Sequence, residues 1–220
     1  MGKVLIYVEG STEERFVRQV LEPHLLAQGV FPIPILAKTK RTRSGPHFKG
    51  GITSYERTRR EILMLLGDTS AALVTTMIDY YGLPHEFPGR SSLPSGTCYD
   101  RVAYLEEESR RDIGHSRFAP YFQLHEFEAL VFVDPAEAAR AFPDTDKEQE
   151  LLAIRSRFGS PEEIDDGPTT APSKRLQLLF PDYQKPIHGP WVTARTGLAK
   201  IRGECPHFGQ WLAVLERTGR

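Results

Sequence analysis

Five acidic side chains in this chain stand where they could do chemistry together. Glu9 closes the run Lys3-Val-Leu-Ile-Tyr-Val8 and is followed at once by Gly10, with Glu13 four residues on. Asp79 closes a second run, Ala71-Ala-Leu-Val-Thr-Thr-Met-Ile78. Glu126 and Glu128 follow a third, Phe118-Ala-Pro-Tyr-Phe-Gln-Leu124, with His125 between. Carboxylates are hard oxygen donors, the ligands that Mg²⁺ or Mn²⁺ prefers, and such a cluster suits in-line attack on a phosphodiester. In that chemistry Glu9 is a general base or metal ligand, and Asp79 with Glu126 or Glu128 holds the ion.

The runs in front of these acids position them. Val4–Val8 and Ala71–Ile78 are continuous and rich in β-branched residues, the signature of strands buried on both faces. Ser11 is an expected N-cap with Glu14 completing a capping box, and Phe16, Val17, Val20 and Leu21 recur at helical spacing. Pro23 and Gly29 then punctuate. Val30–Ala37, with Pro32 and Pro34 inside it, reads as an edge or broken strand. Tyr55–Leu66 and Cys98–Arg111 read as helices. Strands alternating with helices predict right-handed crossovers and a mostly parallel central sheet flanked by helices. Parallel strands bring Glu9 and Asp79 to one edge, where ligands gather in open α/β sheets.

Each acid also has a plainer expectation. Glu13 and Glu14 complement the helix dipole. Asp79 could start an Asx-turn into Gly82-Leu-Pro84. Glu126 and Glu128 share a face if extended but diverge by about 200° if helical, so one of them reaches a metal. Alternatively they are acids at a solvent-facing helix start.

Glu9-Gly10-Ser11-Thr12-Glu13 after an apolar strand resembles the opening motif of TOPRIM domains, the metal-dependent catalytic folds of primases, topoisomerases and overcoming-lysogenization-defect (OLD) nucleases. That resemblance implies an Asp-x-Asp at the second strand end, where this chain has Asp79-Tyr80-Tyr81, so a carboxylate must come from elsewhere. With Thr76-Met-Ile-Asp79-Tyr-Tyr-Gly-Leu-Pro84 and His125-Glu-Phe-Glu-Ala-Leu130, most of the chain resembles the domain-of-unknown-function family 4276. The resemblance implies a TOPRIM-like core, a nuclease activity and a partner ATPase in genome defence. It also implies a lysine that stabilises the transition-state phosphate. Lys174, Lys185 and Lys200 are the candidates, with Lys185 preferred.

The rest of the chain sets bounds. Its 220 residues allow one α/β core, 1–142, with a helical extension, 143–220, packed on it. Helical pieces are expected at 148–158, 174–179, 192–201 and 208–215, with Trp191, Trp211 and Phe208 capping the core. Lys plus Arg number 28 against 29 acids, which argues against affinity for nucleic acid through overall charge. A local patch remains at Lys38, Lys40, Arg41 and Arg43, beside Gly45-Pro-His47 and Gly50-Gly51, to steer DNA or RNA phosphates. The Gly/Pro-rich stretch 82–97 is long enough for a lid. Two lone cysteines, Cys98 and Cys205, fit a reducing cytoplasmic setting. No run suits a membrane span, a signal peptide or a P-loop. A non-catalytic module for a partner protein and a small-nucleotide phosphohydrolase are the competing functions.

Overall fold

A computed structural model describes residues 1–38, 51–143, 145–164, 167 and 169–219. The basic residues Lys40, Arg41 and Arg43, with His47, Gly50 and the pair Asp165-Asp166, lie outside the described residues.

The apolar run at the start of the chain forms β1 (Gly2–Val8), the middle of a parallel sheet. It pairs with β2 (Val30–Leu36) on one side and β3 (Ala71–Asp79) on the other. Two short strands, β4 (Phe118–Ala119) and β5 (Phe122–Gln123), continue the sheet beyond β3. The expected strand 118–124 is thus interrupted at Pro120-Tyr121, where the Tyr121 N–H goes to a β3 side chain instead of the β3 backbone. Register is nevertheless kept: Val74 faces Phe118 and Ile78 faces Phe122. Threonine side chains bridge the gap. Thr76 Oγ1 accepts the Tyr121 N–H and donates to the Tyr121 carbonyl, both at 2.8 Å.

β2 is the edge strand its prolines foretold, and it is unbroken. The Ala37 N–H donates to the Val8 carbonyl at 2.9 Å, so odd-numbered residues of β2 address β1. Pro32 and Pro34 therefore turn their missing donors to the open edge, where nothing is lost.

Between β1 and β2 the chain is helical from α1 (Ser11–Phe16) through a π-helical turn (Val17–Leu21) to α2 (Glu22–Leu26). Pro23 does not end the helix. The Glu22 N–H reaches back to the Val17 carbonyl, and this wider turn precedes the residue that has no donor. Helices α3 (Tyr55–Leu66) and α4 (Cys98–Ile113) follow the first crossover. Thr97 caps α4 and exchanges bonds with Asp100, and Gly114 ends it at φ 63°.

Alternation along β1 divides the core. Val4, Ile6 and Val8 pack with Phe16, Val17 and Leu21 on one face, and Leu5 and Tyr7 pack with α3 and α4 on the other. The first face is completed by α5 (Pro135–Arg140), α6 (Glu148–Arg155), α7 (Pro172–Leu179), α8 (Lys185–Thr196), α9 (Leu198–Glu204) and α10 (Pro206–Arg217). Residues from both sides of position 143 share this cluster, including Leu151, Val192, Phe208 and Leu212. Trp211 and Phe208 are buried there, but Trp191 is exposed and caps nothing. The expected helix at 192–201 is two helices, divided at Gly197 with φ 82°. The segment 82–97 is anchored rather than free, with Leu83 and Phe87 buried against the second face. No helix among the described residues is long and apolar enough to cross a membrane. Cys98 and Cys205 are both free thiols.

Candidate active site at the strand ends

Because β1 and β3 are parallel and Val8 faces Met77, Glu9 and Asp79 emerge at the same sheet edge, one position apart in register. Glu9 Oε2 accepts the Asp79 N–H at 3.1 Å. A Cβ at Gly82 would stand 3.7 Å from Glu9 Oε1, and one at Gly51 3.8 Å away. The two glycines keep the approach to that oxygen open. Asp79 does not begin an Asx-turn. Its Oδ1 accepts the Phe127 N–H at 2.8 Å.

The third acidic stretch is brought alongside by backbone bonds. Tyr80 N–H donates to the Gln123 carbonyl and Tyr81 N–H to the His125 carbonyl, each at 2.9 Å. His125 is buried with its ring edge-on to Tyr80. Glu126 is extended, at φ −142° and ψ 160°, and Phe127–Val133 is a 3-10 segment. The two glutamates therefore part company. Glu128 lines the cavity at the strand ends, while Glu126 Oε2 is held by the Ser173 N–H at the start of α7. Both are buried, so neither belongs to a solvent-facing helix start.

Glu13 reaches the same cavity from α1. The helix begins one residue earlier than the capping box at Ser11 and Glu14 implied. Gly10 is the N-cap, and Glu13 Oε2 accepts the Gly10 N–H at 2.8 Å. Glu14 instead pairs with Arg18 at 3.1 Å.

Lys185, at the start of α8, is the cation among the described residues lining this cavity of about 880 Å³. Its Nζ lies 3.0 Å from Glu128 Oε2 and 3.5 Å from Glu126 Oε1. The Tyr183 hydroxyl donates to Glu128 Oε1 at 3.3 Å. The helix packing that carries Lys185 here is fastened by Arg15 on α1, which donates to the Pro186 carbonyl at 2.9 Å. Lys200 is elsewhere, paired with Asp134 on the surface, and Lys174 is exposed. Lys38 is exposed as well, and its N–H donates to Glu61.

Burial sets the electrostatics. It raises the Glu9 carboxyl, against the lowering influence of the Asp79 N–H and Lys185. Burial and the neighbouring Glu9 push Glu13 up to about 8. Burial, Glu9 and Glu13 hold Asp79 well above the usual carboxylate range. Glu128 is also raised by burial, which Lys185 opposes. Burial alone would lower Lys185, but Glu128, Asp79 and Glu126 raise it above an ordinary lysine. These are the signs of crowded negative charge with too little positive charge beside it.

That donor set fits a divalent cation in its chemistry. Glu9 Oε1 and Asp79 Oδ2 make no hydrogen bond among the described residues, and each partner oxygen is pinned by a backbone N–H. No group of three or more Asp, Glu, His or Cys side chains among the described residues is already gathered to hold a metal.

Tyr183, Gln184 and Thr12 border the site without having been singled out from the sequence. Adjacency to Lys185 was the available signal for the first two, and to Glu13 for the third. The family described as Domain of unknown function (DUF4276) matches residues 8–216. No curated protein and no solved structure matches the chain.

Proposed function

We propose that this chain, which belongs to the DUF4276 family, is a TOPRIM-like, metal-dependent phosphodiester hydrolase of the cytoplasm. One observation carries it: Glu9, Glu13, Asp79 and Glu128 converge with Lys185 on one cavity at the carboxyl ends of parallel strands. Glu9 and Asp79, each with one oxygen committed to the backbone, would hold Mg²⁺ or Mn²⁺ through the other. The ion, when bound, supplies Lewis-acid polarisation of a phosphoryl oxygen. Lys185 lines the same cavity and would place a positive charge against the phosphate oxygens as charge builds on them. Glu128, itself held by the Tyr183 hydroxyl, orients the Lys185 ammonium. A partner ATPase in genome defence belongs to the same reading and rests on the family resemblance alone.

The ion pairs of Lys185 with Glu126 and Glu128 favour a second reading. A lysine that already supplies the site's cation would leave a non-catalytic module kept for binding a partner.

Calorimetric titration with Mg²⁺ and Mn²⁺, wild type beside Glu9→Gln and Asp79→Asn, separates the two. Cleavage assays on single- and double-stranded DNA and RNA follow. Binding lost in both variants together with metal-dependent cleavage is the expected result. No metal binding, or binding indifferent to both substitutions, would overturn the hydrolase and leave the module.

A further inference from the structure

Helix α8 carries Lys185 into the cavity at its first turn and then runs across the surface beside it. Ile187, Trp191 and Arg195 recur every four residues, so they form one stripe along the helix. All three are exposed: Ile187 by 50%, Trp191 by 41% and the Arg195 side chain by 48%. The stripe begins two residues after Lys185, and Trp191 lies about 9 Å further along the helix axis than that lysine. Exposed Arg15, bonded to the Pro186 carbonyl, stands at the cavity end of the stripe.

The indole is not loose. The Arg195 guanidinium lies over its ring at 5.0 Å, and Arg195 Nε is itself clamped to Glu137 Oε2 at 2.7 Å. A flat apolar surface is thus held in place before anything binds to it, which lowers the ordering cost of binding. Charge along the stripe is positive on balance. Arg140 and Arg195 share the single Glu137, Glu14 offsets Arg18, and no ion pair offsets Arg15 among the described residues.

We infer that this face of α8 is a stacking platform for single-stranded nucleic acid, leading the strand into the carboxylate cavity. A base stacks on Trp191, Ile187 packs against the sugar or the next base, and Arg15 and Arg195 contact phosphates. Aromatic stacking beside guanidinium groups is how single strands are bound without reading sequence. A paired duplex keeps its bases inside and offers no face to the indole. The inference deepens the hydrolase reading and rests on it for the strand's destination.

The test is fluorescence anisotropy of labelled oligothymidylate and oligouridylate with the full chain in EDTA, so that nothing is cleaved. The matching duplex and the tryptophan emission are followed in parallel. Trp211 is buried and Trp191 exposed, so quenching on binding reports Trp191. The expected result is quenching and a preference for the single strand of about tenfold or more. Trp191→Ala weakens single-strand binding about tenfold and Trp191→Phe keeps most of it. Arg195→Gln lowers the salt slope by about one. Equal affinity in Trp191→Ala, no quenching, or a duplex bound as well as the single strand overturns the platform and leaves the stripe as a contact for a protein. Wild-type cleavage beside unchanged binding in Trp191→Ala would remove the platform and keep the active site. Strand binding through Trp191 with metal affinity intact in Asp79→Asn would do the reverse.

Discussion

Glu9 and Asp79 end neighbouring parallel strands, and the side chain of the first accepts the backbone N–H of the second at 3.1 Å. The bond fixes one Glu9 oxygen and aims the other at the gap between Gly82 and Gly51. Asp79 is fixed in the same way by Phe127. Two half-buried carboxylates pinned by backbone donors are preorganised acceptors for a cation.

Glu9→Gln and Asp79→Asn keep an oxygen for each of those backbone bonds while removing one charge. Both variants are expected to fold with wild-type stability to within about 1 kcal/mol. Each is expected to lose at least about tenfold in Mn²⁺ affinity by calorimetry. Wild-type affinity in either variant would exclude that residue from the metal site.

Lys185 is the test of which cation the site is built around. Removing its charge in Lys185→Met leaves Glu126 and Glu128 without their ion partner. The Lys185 side chain is 38% exposed, so a stability loss of about 1–3 kcal/mol is expected in urea rather than the full cost of an unpaired buried charge. Divalent-ion affinity should hold or rise, since a competing charge has gone, while phosphodiester cleavage falls by about a hundredfold or more. A loss of metal affinity in parallel with activity would instead make Lys185 a prop for the carboxylates.

Glu216 on α10 gathers the N-terminal helix and α9. His24 Nε2 is 2.8 Å and Arg202 Nη1 2.7 Å from its Oε1, and Gln28 also donates to it. Burial would raise this carboxyl, but the bonds from His24, Arg202 and Gln28 together hold it below its ordinary value. A depressed carboxyl stabilises the fold above the unfolded-state value, near 4.5, and that contribution disappears as pH falls through the folded-state value. Glu216→Gln should therefore cost about 1 kcal/mol in denaturant at pH 6, with the difference from wild type shrinking as pH falls below the unfolded-state value and vanishing once the folded-state carboxyl is protonated. A deficit that stays constant as pH falls would assign the loss to packing instead of charge.

The acids of the site were legible because each ends an apolar run, and parallel pairing makes strand ends neighbours. Which glutamate of the pair 126 and 128 faces the cavity was not legible. It depends on the extended-to-3-10 switch at Phe127, which is held by the Asp79 carboxylate 48 positions earlier in the chain. The start of α8 was hidden for a local reason. Pro186, Gly189 and Pro190 depress helix propensity across 185–190, whereas Pro186 in the first turn has no intrahelical partner to lose. Trp191 looked like a core residue by type alone, and nothing in its neighbours' spacing placed it on the outer stripe.

Trp211 joins the helical C-terminal part to the sheet, and its replacement tests whether the two unfold together. The indole N–H donates to Thr75 Oγ1 at 2.9 Å, and that hydroxyl donates on to the Ala119 carbonyl at the break between β4 and β5. Its ring stacks on Tyr121 with centroids 4.3 Å apart. Trp211→Phe keeps the ring but leaves Thr75 short of a donor, at an expected cost of about 1–2 kcal/mol. Trp211→Ala adds a cavity and should cost about 3–5 kcal/mol. Because Leu151, Val192 and Leu212 share one core cluster with Val4 and Ile6, both losses should appear as a shifted midpoint of a single transition, identical by circular dichroism and by tyrosine emission. Two separated transitions in the Trp211→Ala protein would show instead that residues 143–220 unfold as a unit of their own.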